Sequence, residues 1–103
     1  MSLIKTTTTL IIFCLFITTL AYAKTAEDYL KAGNTKYELK DYKGAIQDYT
    51  TAIELNPSNA EAYNLRGIDK LILGQKDSGC LDLSKAGEMG YLEAYDDIKE
   101  FCN

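Results

Sequence analysis

The chain has 103 residues, 11 Lys and Arg against 15 Asp and Glu, a formal charge of −4, 47% hydrophobic residues, three Cys and no His. That length allows one small domain, and the missing His excludes Ser-His-Asp and Cys-His nucleophile systems together with the His-bearing zinc sites of most catalytic metal centres. Lys and Arg are nowhere clustered as a phosphate backbone requires, so no nucleic-acid partner is expected.

Lys5 is the only charged residue before Lys24, and between them an apolar run from Leu10 to Leu20 leads into Ala21-Tyr22-Ala23. This pattern predicts a secretory signal peptide over residues 1–23, cut after Ala23, because signal peptidase admits only small side chains beside the scissile bond. The rival is an uncleaved membrane anchor over residues 3–23, close to the ~20 residues that span a bilayer. Thr6 to Thr9 and the short apolar core weigh against it, and Phe13 before Cys14 speaks against a lipoprotein. Membrane contact is expected only if that segment is retained. The mature chain then carries 10 basic against 15 acidic residues, a charge of −5, with Cys80 and Cys102 remaining. A chain this short often needs a staple.

The remaining residues repeat. A shift of 34 residues lays Ala26, Glu27, Tyr29 and Gly33 on Ala60, Glu61, Tyr63 and Gly67, then Leu39, Asp48, Ala52 and Glu54 on Leu73, Asp82, Ala86 and Glu88. Such a period marks stacked units, each unable to bury its apolar face alone. In the first unit Ala26, Tyr29, Leu30, Gly33 and Tyr37 form one helical stripe, and Tyr42, Ala45, Ile46, Tyr49, Ala52 and Ile53 form a second. The break at Leu39-Lys40-Asp41 lets Asp41 cap the second helix.

Asn56-Pro57 ends that helix. Ser58-Asn59-Ala60-Glu61 reads as a capping box that starts a third, Ser58 being the cap. The third helix carries Tyr63, Gly67, Ile68, Leu71 and Ile72 and closes at Gly74. A fourth is expected from about Asp77 to Met89, with Gly90 as a left-handed stop. Glu93-Ala94-Tyr95 then echoes Glu61-Ala62-Tyr63, so Leu92 to Cys102 is half a unit and the fifth helix.

These residues resemble the tetratricopeptide repeat (TPR) family. Tyr29, Gly33, Ala45, Tyr49, Ala52 and Pro57 fill its pattern in the first copy; Tyr63, Gly67, Gly79, Leu83 and Ala86 fill it in the second. Ala32 and Arg66 depart from its usual Leu, Lys36 and Lys70 from its usual Tyr, and Tyr91 from its closing Pro. The resemblance implies an all-α, right-handed α-solenoid: one repeat over residues 24–59, a second over 60–91, and a C-terminal capping helix over 92–103. The small residues suit it, with Gly33 facing Ala45 and Gly67 facing Gly79 where paired helices cross.

The resemblance also implies where function lies. The first helix of each repeat would line a concave groove through Glu27, Leu30, Asn34, Tyr37 and Glu38, then Glu61, Asn64, Ile68, Leu71 and Ile72. Asn34 and Asn64 would address a peptide backbone, while Leu30, Tyr37 and Ile68 supply apolar contact. The alternative is that the terminal helix covers Ile68, Leu71 and Ile72. Of the family's clamp for a C-terminal carboxylate only Asn34 is present; Leu30 and Leu65 stand where Lys and Asn belong. The implied function is a non-catalytic module for a protein or peptide partner, without cofactor or metal. Self-association through the solenoid's ends is the alternative. The acidic groups, including Asp96, Asp97 and Glu100, read as solvated surface rather than as a catalytic pair or calcium loop.

The segment from Gly79 through Cys102 is similar to the C-terminal end of small exported bacterial repeat proteins, which places the chain in a periplasm or outside the cell. It also implies a disulfide between Cys80 and Cys102 that would keep the last helix from fraying. In a reducing compartment the same residues would be two buried thiols.

Overall fold

The computed structural model describes residues 23–103; apart from Ala23, the expected signal segment lies outside them. Among the described residues there are five α-helices and no strand: α1 (Ala26–Glu38), α2 (Tyr42–Leu55), α3 (Ala60–Ile72), α4 (Lys76–Glu88) and α5 (Ala94–Phe101). No helix among them is long and apolar enough to cross a membrane.

Each start and stop has a local cause. Thr25 and Asp28 close a capping box at α1: the Asp28 N–H donates to the Thr25 hydroxyl at 3.3 Å and the Thr25 N–H to the Asp28 carboxylate at 2.8 Å. The latter bond holds the Asp28 carboxyl below its usual pKa. Asp41 accepts from the Gly44 N–H at 3.0 Å and caps α2 as expected. At α3 the cap is Asn59, not Ser58. Asn56 Oδ1 accepts from the Ser58 N–H at 3.2 Å, which commits Ser58 to the turn around Pro57, and Asn59 Oδ1 then accepts from Ala62 N–H at 3.1 Å. The helix α4 begins at Lys76, a residue before the expected start, without a side-chain cap. Gly74 and Gly90 have φ of 79° and 98°, and Lys40 takes the same left-handed position after α1 at φ 61°.

The helices pack in chain order: α1 on α2, α2 on α3, α3 on α4, and α4 on α5. Leu30, Ala45, Tyr49, Ala52, Ile53 and Ala62 form one core cluster, and Leu83, Ala86 and Ala94 a second. Tyr63 packs against both, so α3 is common to the two hairpins. Leu83 is fully buried at the place Tyr49 holds in the first repeat.

At the helix crossing of the second repeat, backbone meets backbone. A Cβ on Gly67 would stand 2.9 Å from the Gly79 carbonyl oxygen, and one on Gly79 would stand 2.8 Å from that of Gly67. Gly33, by contrast, abuts the Tyr49 ring; its Cβ would lie 2.5 Å from the ring edge. The large Tyr fills space that Leu83 leaves to backbone contact. Gly67→Ala should therefore lower stability by about 2 kcal/mol through overpacking against fixed backbone, read as a lower urea midpoint; a midpoint equal to wild type would contradict the close crossing.

Both repeats also carry the same ion pair. Lys36 Nζ lies 2.8 Å from Asp48, and 34 residues on Lys70 Nζ lies 2.8 Å from Asp82. In the second repeat Arg66 joins, giving Nε and Nη2 to the two Asp82 oxygens at 2.7 Å each and Nη1 to the Thr50 hydroxyl at 3.2 Å. The guanidinium also lies over the Tyr63 ring at 5.5 Å. The bidentate bond to Asp82 raises the Arg66 pKa further. The departures from the family pattern at Lys36, Arg66 and Lys70 are thus matched by acids on the paired helix.

Candidate functional site

The residues expected to line the groove divide by what the neighbouring helices do to them. Leu30 is buried in the first core cluster and Asn64 is buried on α3 with its carbonyl oxygen unpaired. Neither is presented to a partner, which corrects the expectation of direct contact for both: Leu30 is clustered with residues of α2 and α3, and Asn64 is 4% exposed. Asn34 is half-buried, and its Oδ1 accepts from the Tyr49 hydroxyl at 2.7 Å. It anchors a buried phenol whose pKa burial raises.

Tyr37 and Glu38 remain exposed at the end of α1. Tyr37 sits edge-on to Tyr42, ring centroids 5.7 Å apart, so an exposed aromatic is braced across the first hairpin turn. Ile68 and Leu71 are half-buried and Ile72 is 48% exposed. The helix α5 lies beside these three without covering them. With Asp97 and Phe101 they line a recess of about 250 Å³. Asp97, expected on the solvated surface, is half-buried; its spacing of one helical turn from Phe101, beside the core-facing Ile98, is the signal that the sequence carries for this recess.

A separate hollow of about 390 Å³ shares no residue with this recess; Tyr63, Arg66, Asp82 and Lys85 are among its lining. Two of its charges, Arg66 and Asp82, are spent on one another. The described residues hold no group of three or more His, Cys, Asp or Glu arranged for a metal.

Cys80 on α4 and Cys102 at the end of α5 are joined by a disulfide, with Cα atoms 5.8 Å apart and a sequence separation of 22. The bond fixes the helix that supplies Asp97 and Phe101. Elsewhere on α3 Asp69 is fully buried, with neither carboxylate oxygen hydrogen-bonded. Burial alone pushes its pKa up to about 6.

The paired helices, the small residues at their crossings and the 34-residue recurrence of Tyr, Gly and Ala coincide with a match to the TPR repeat family model over residues 33–68. Over that stretch the chain is similar to the tetratricopeptide repeat family. It is 34% identical over 67 residues to the Protein STIP1 homolog of Dictyostelium discoideum, covering 65% of this chain and 12% of that protein. It is 47% identical over 45 residues to human serine/threonine-protein phosphatase 5, covering 44% of this chain and 9% of the phosphatase. Against the Hsp70-Hsp90 organizing protein of Triticum aestivum it is 37% identical over 60 residues, 58% of this chain and 10% of that protein. The chain thus spans about a tenth of the length of these curated relatives.

Proposed function

We propose that this TPR module is a non-catalytic adaptor that receives a peptide or helix of a protein partner along the face bearing Tyr37, Glu38, Ile68, Leu71 and Ile72. The observation that carries the reading is the exposure of large apolar side chains there: Tyr37 is 40% and Ile72 48% exposed, beside an open recess. Exposed apolar surface next to polar groups is where a small protein finds partners. The names of the relatives point to protein assembly, and the clamp Lys and Asn that the family resemblance calls for are replaced by Leu30 and Leu65. The partner segment is accordingly not a carboxylate tail held by Lys and Arg.

The proposed location is a periplasm or the extracellular space, supported by the signal-like residues 1–23 and the Cys80–Cys102 bond. N-terminal sequencing of the native protein distinguishes export with cleavage, which leaves Lys24 first, from a retained anchor beginning at Met1. The groove is tested by recovering partners from an envelope fraction with wild type and with Tyr37→Ala/Glu38→Ala. A fall in recovery of several-fold is expected, and unchanged recovery with unchanged thermal melting overturns the groove.

A further inference from the structure

We propose that the recess between α3 and α5 accepts one bulky aliphatic side chain of a partner peptide whose neighbouring Lys or Arg pairs with Asp97. This rests on the adaptor reading and specifies its ligand. Ile68, Leu71 and Ile72 from α3 and Phe101 from α5 make the lining apolar, and Asp97 is the one charged group that reaches it. No Lys or Arg pairs with Asp97 among the described residues. A half-buried carboxylate at the mouth of an apolar recess gives a cation more than a fully solvated carboxylate would, since less water screens the pair.

The surroundings favour the same sign. The charged groups acting on the nearby Tyr91 hydroxyl are Glu93, Glu61 and Asp97, all acids, and after burial they raise its pKa. Asp97 thus shares the field at that hydroxyl with two further acids and no cation. A second copy of this chain, net charge −4, would bring like charge to that face. The chain's own apolar run, Leu10 to Leu20, contains no Lys or Arg to meet Asp97. A basic, aliphatic segment of another protein satisfies both the lining and the rim.

Fluorescence anisotropy on the disulfide-bonded protein tests this with three labelled peptides of about seven residues, alternating Lys with Leu, Glu with Leu, and Lys with Ser. The Lys/Leu peptide is expected to bind at least about tenfold more tightly than either of the others, as an anchor plus an ion pair requires. Asp97→Asn and Ile72→Ser should each weaken it about tenfold, with melting curves unchanged, while Asp96→Asn on the adjacent, exposed position leaves binding as it was. Equal binding of Lys/Leu and Lys/Ser peptides, or equal effects of Asp97→Asn and Asp96→Asn, overturns the proposal. So does displacement of the probe by a peptide of the Leu10 to Leu20 sequence, or a dimer in sedimentation that Ile72→Ser dissolves. If partner recovery falls with Tyr37→Ala/Glu38→Ala but not with Asp97→Asn, the groove stands and the recess falls; if neither variant changes recovery, both readings fall.

Discussion

Asp69→Asn is expected to remove a decline in stability that the parent protein shows between about pH 4 and pH 6, and to leave the variant up to about 3 kcal/mol more stable at neutral pH. Asp69 is fully buried with no hydrogen-bond donor to either oxygen, and burial pushes its pKa from 3.8 to about 6. The phenol nearest it, Tyr49, spends its proton on Asn34, and the other groups acting on Tyr49 are Tyr37, Glu61 and Asp48, none of them a cation. The folded chain therefore holds the Asp69 proton more tightly than the unfolded chain does. Its favourable contribution is complete below pH 3.8 and is lost as pH rises through about 6. Two pKa units at about 1.4 kcal/mol each give the stated magnitude. Urea denaturation of both proteins at several pH values measures it. Carboxylates common to both cancel in the difference, so parallel profiles would refute the burial of an uncompensated acid.

Opening the Cys80–Cys102 bond should cost about 3 kcal/mol, or more than about 10 °C in melting temperature, by the chain entropy of the loop it closes. The loss should be local. The eight-residue α5 packs chiefly on α4 and is too short to remain helical unaided. Amide exchange in Ala94 to Phe101 is expected to rise sharply with reductant or in Cys80→Ala/Cys102→Ala, while α1 and α2 keep their protection. The recess between α3 and α5 would lose its Asp97 and Phe101 wall at the same time. Uniform exchange along the chain, or unchanged melting, would contradict the role given to the bond.

Much of the fold was legible because the repeat states it twice. The 34-residue offset placed four helices and the half-unit after Gly90, and Asp41 and the glycines at 74 and 90 carry local backbone demands that sequence expresses directly. What was not legible depends on neighbours. Asp69 and Thr35 hold the same position in their repeats, yet Thr35 is exposed and Asp69 fully buried, because only the second repeat has another stacked before it. Leu30 and Asn64 were assigned to a groove by a pattern that does not record how closely this pair of repeats closes. The ion pairs were within reach: the same shift that aligned Asp48 with Asp82 aligns Lys36 with Lys70, and reading each acid against the cation on the paired helix would have found them.

The two extremities of the molecule are secured differently. A covalent link ties α5 back to α4, whereas α1 is held by its packing on α2 and by the Thr25 and Asp28 cap. Tension applied to the two termini would consequently meet unequal resistance: the first hairpin peels away while the last stays clasped. A partner seated across Tyr37 and the α5 recess would act as a strap over the weaker end, and its grip would register as a higher unfolding force.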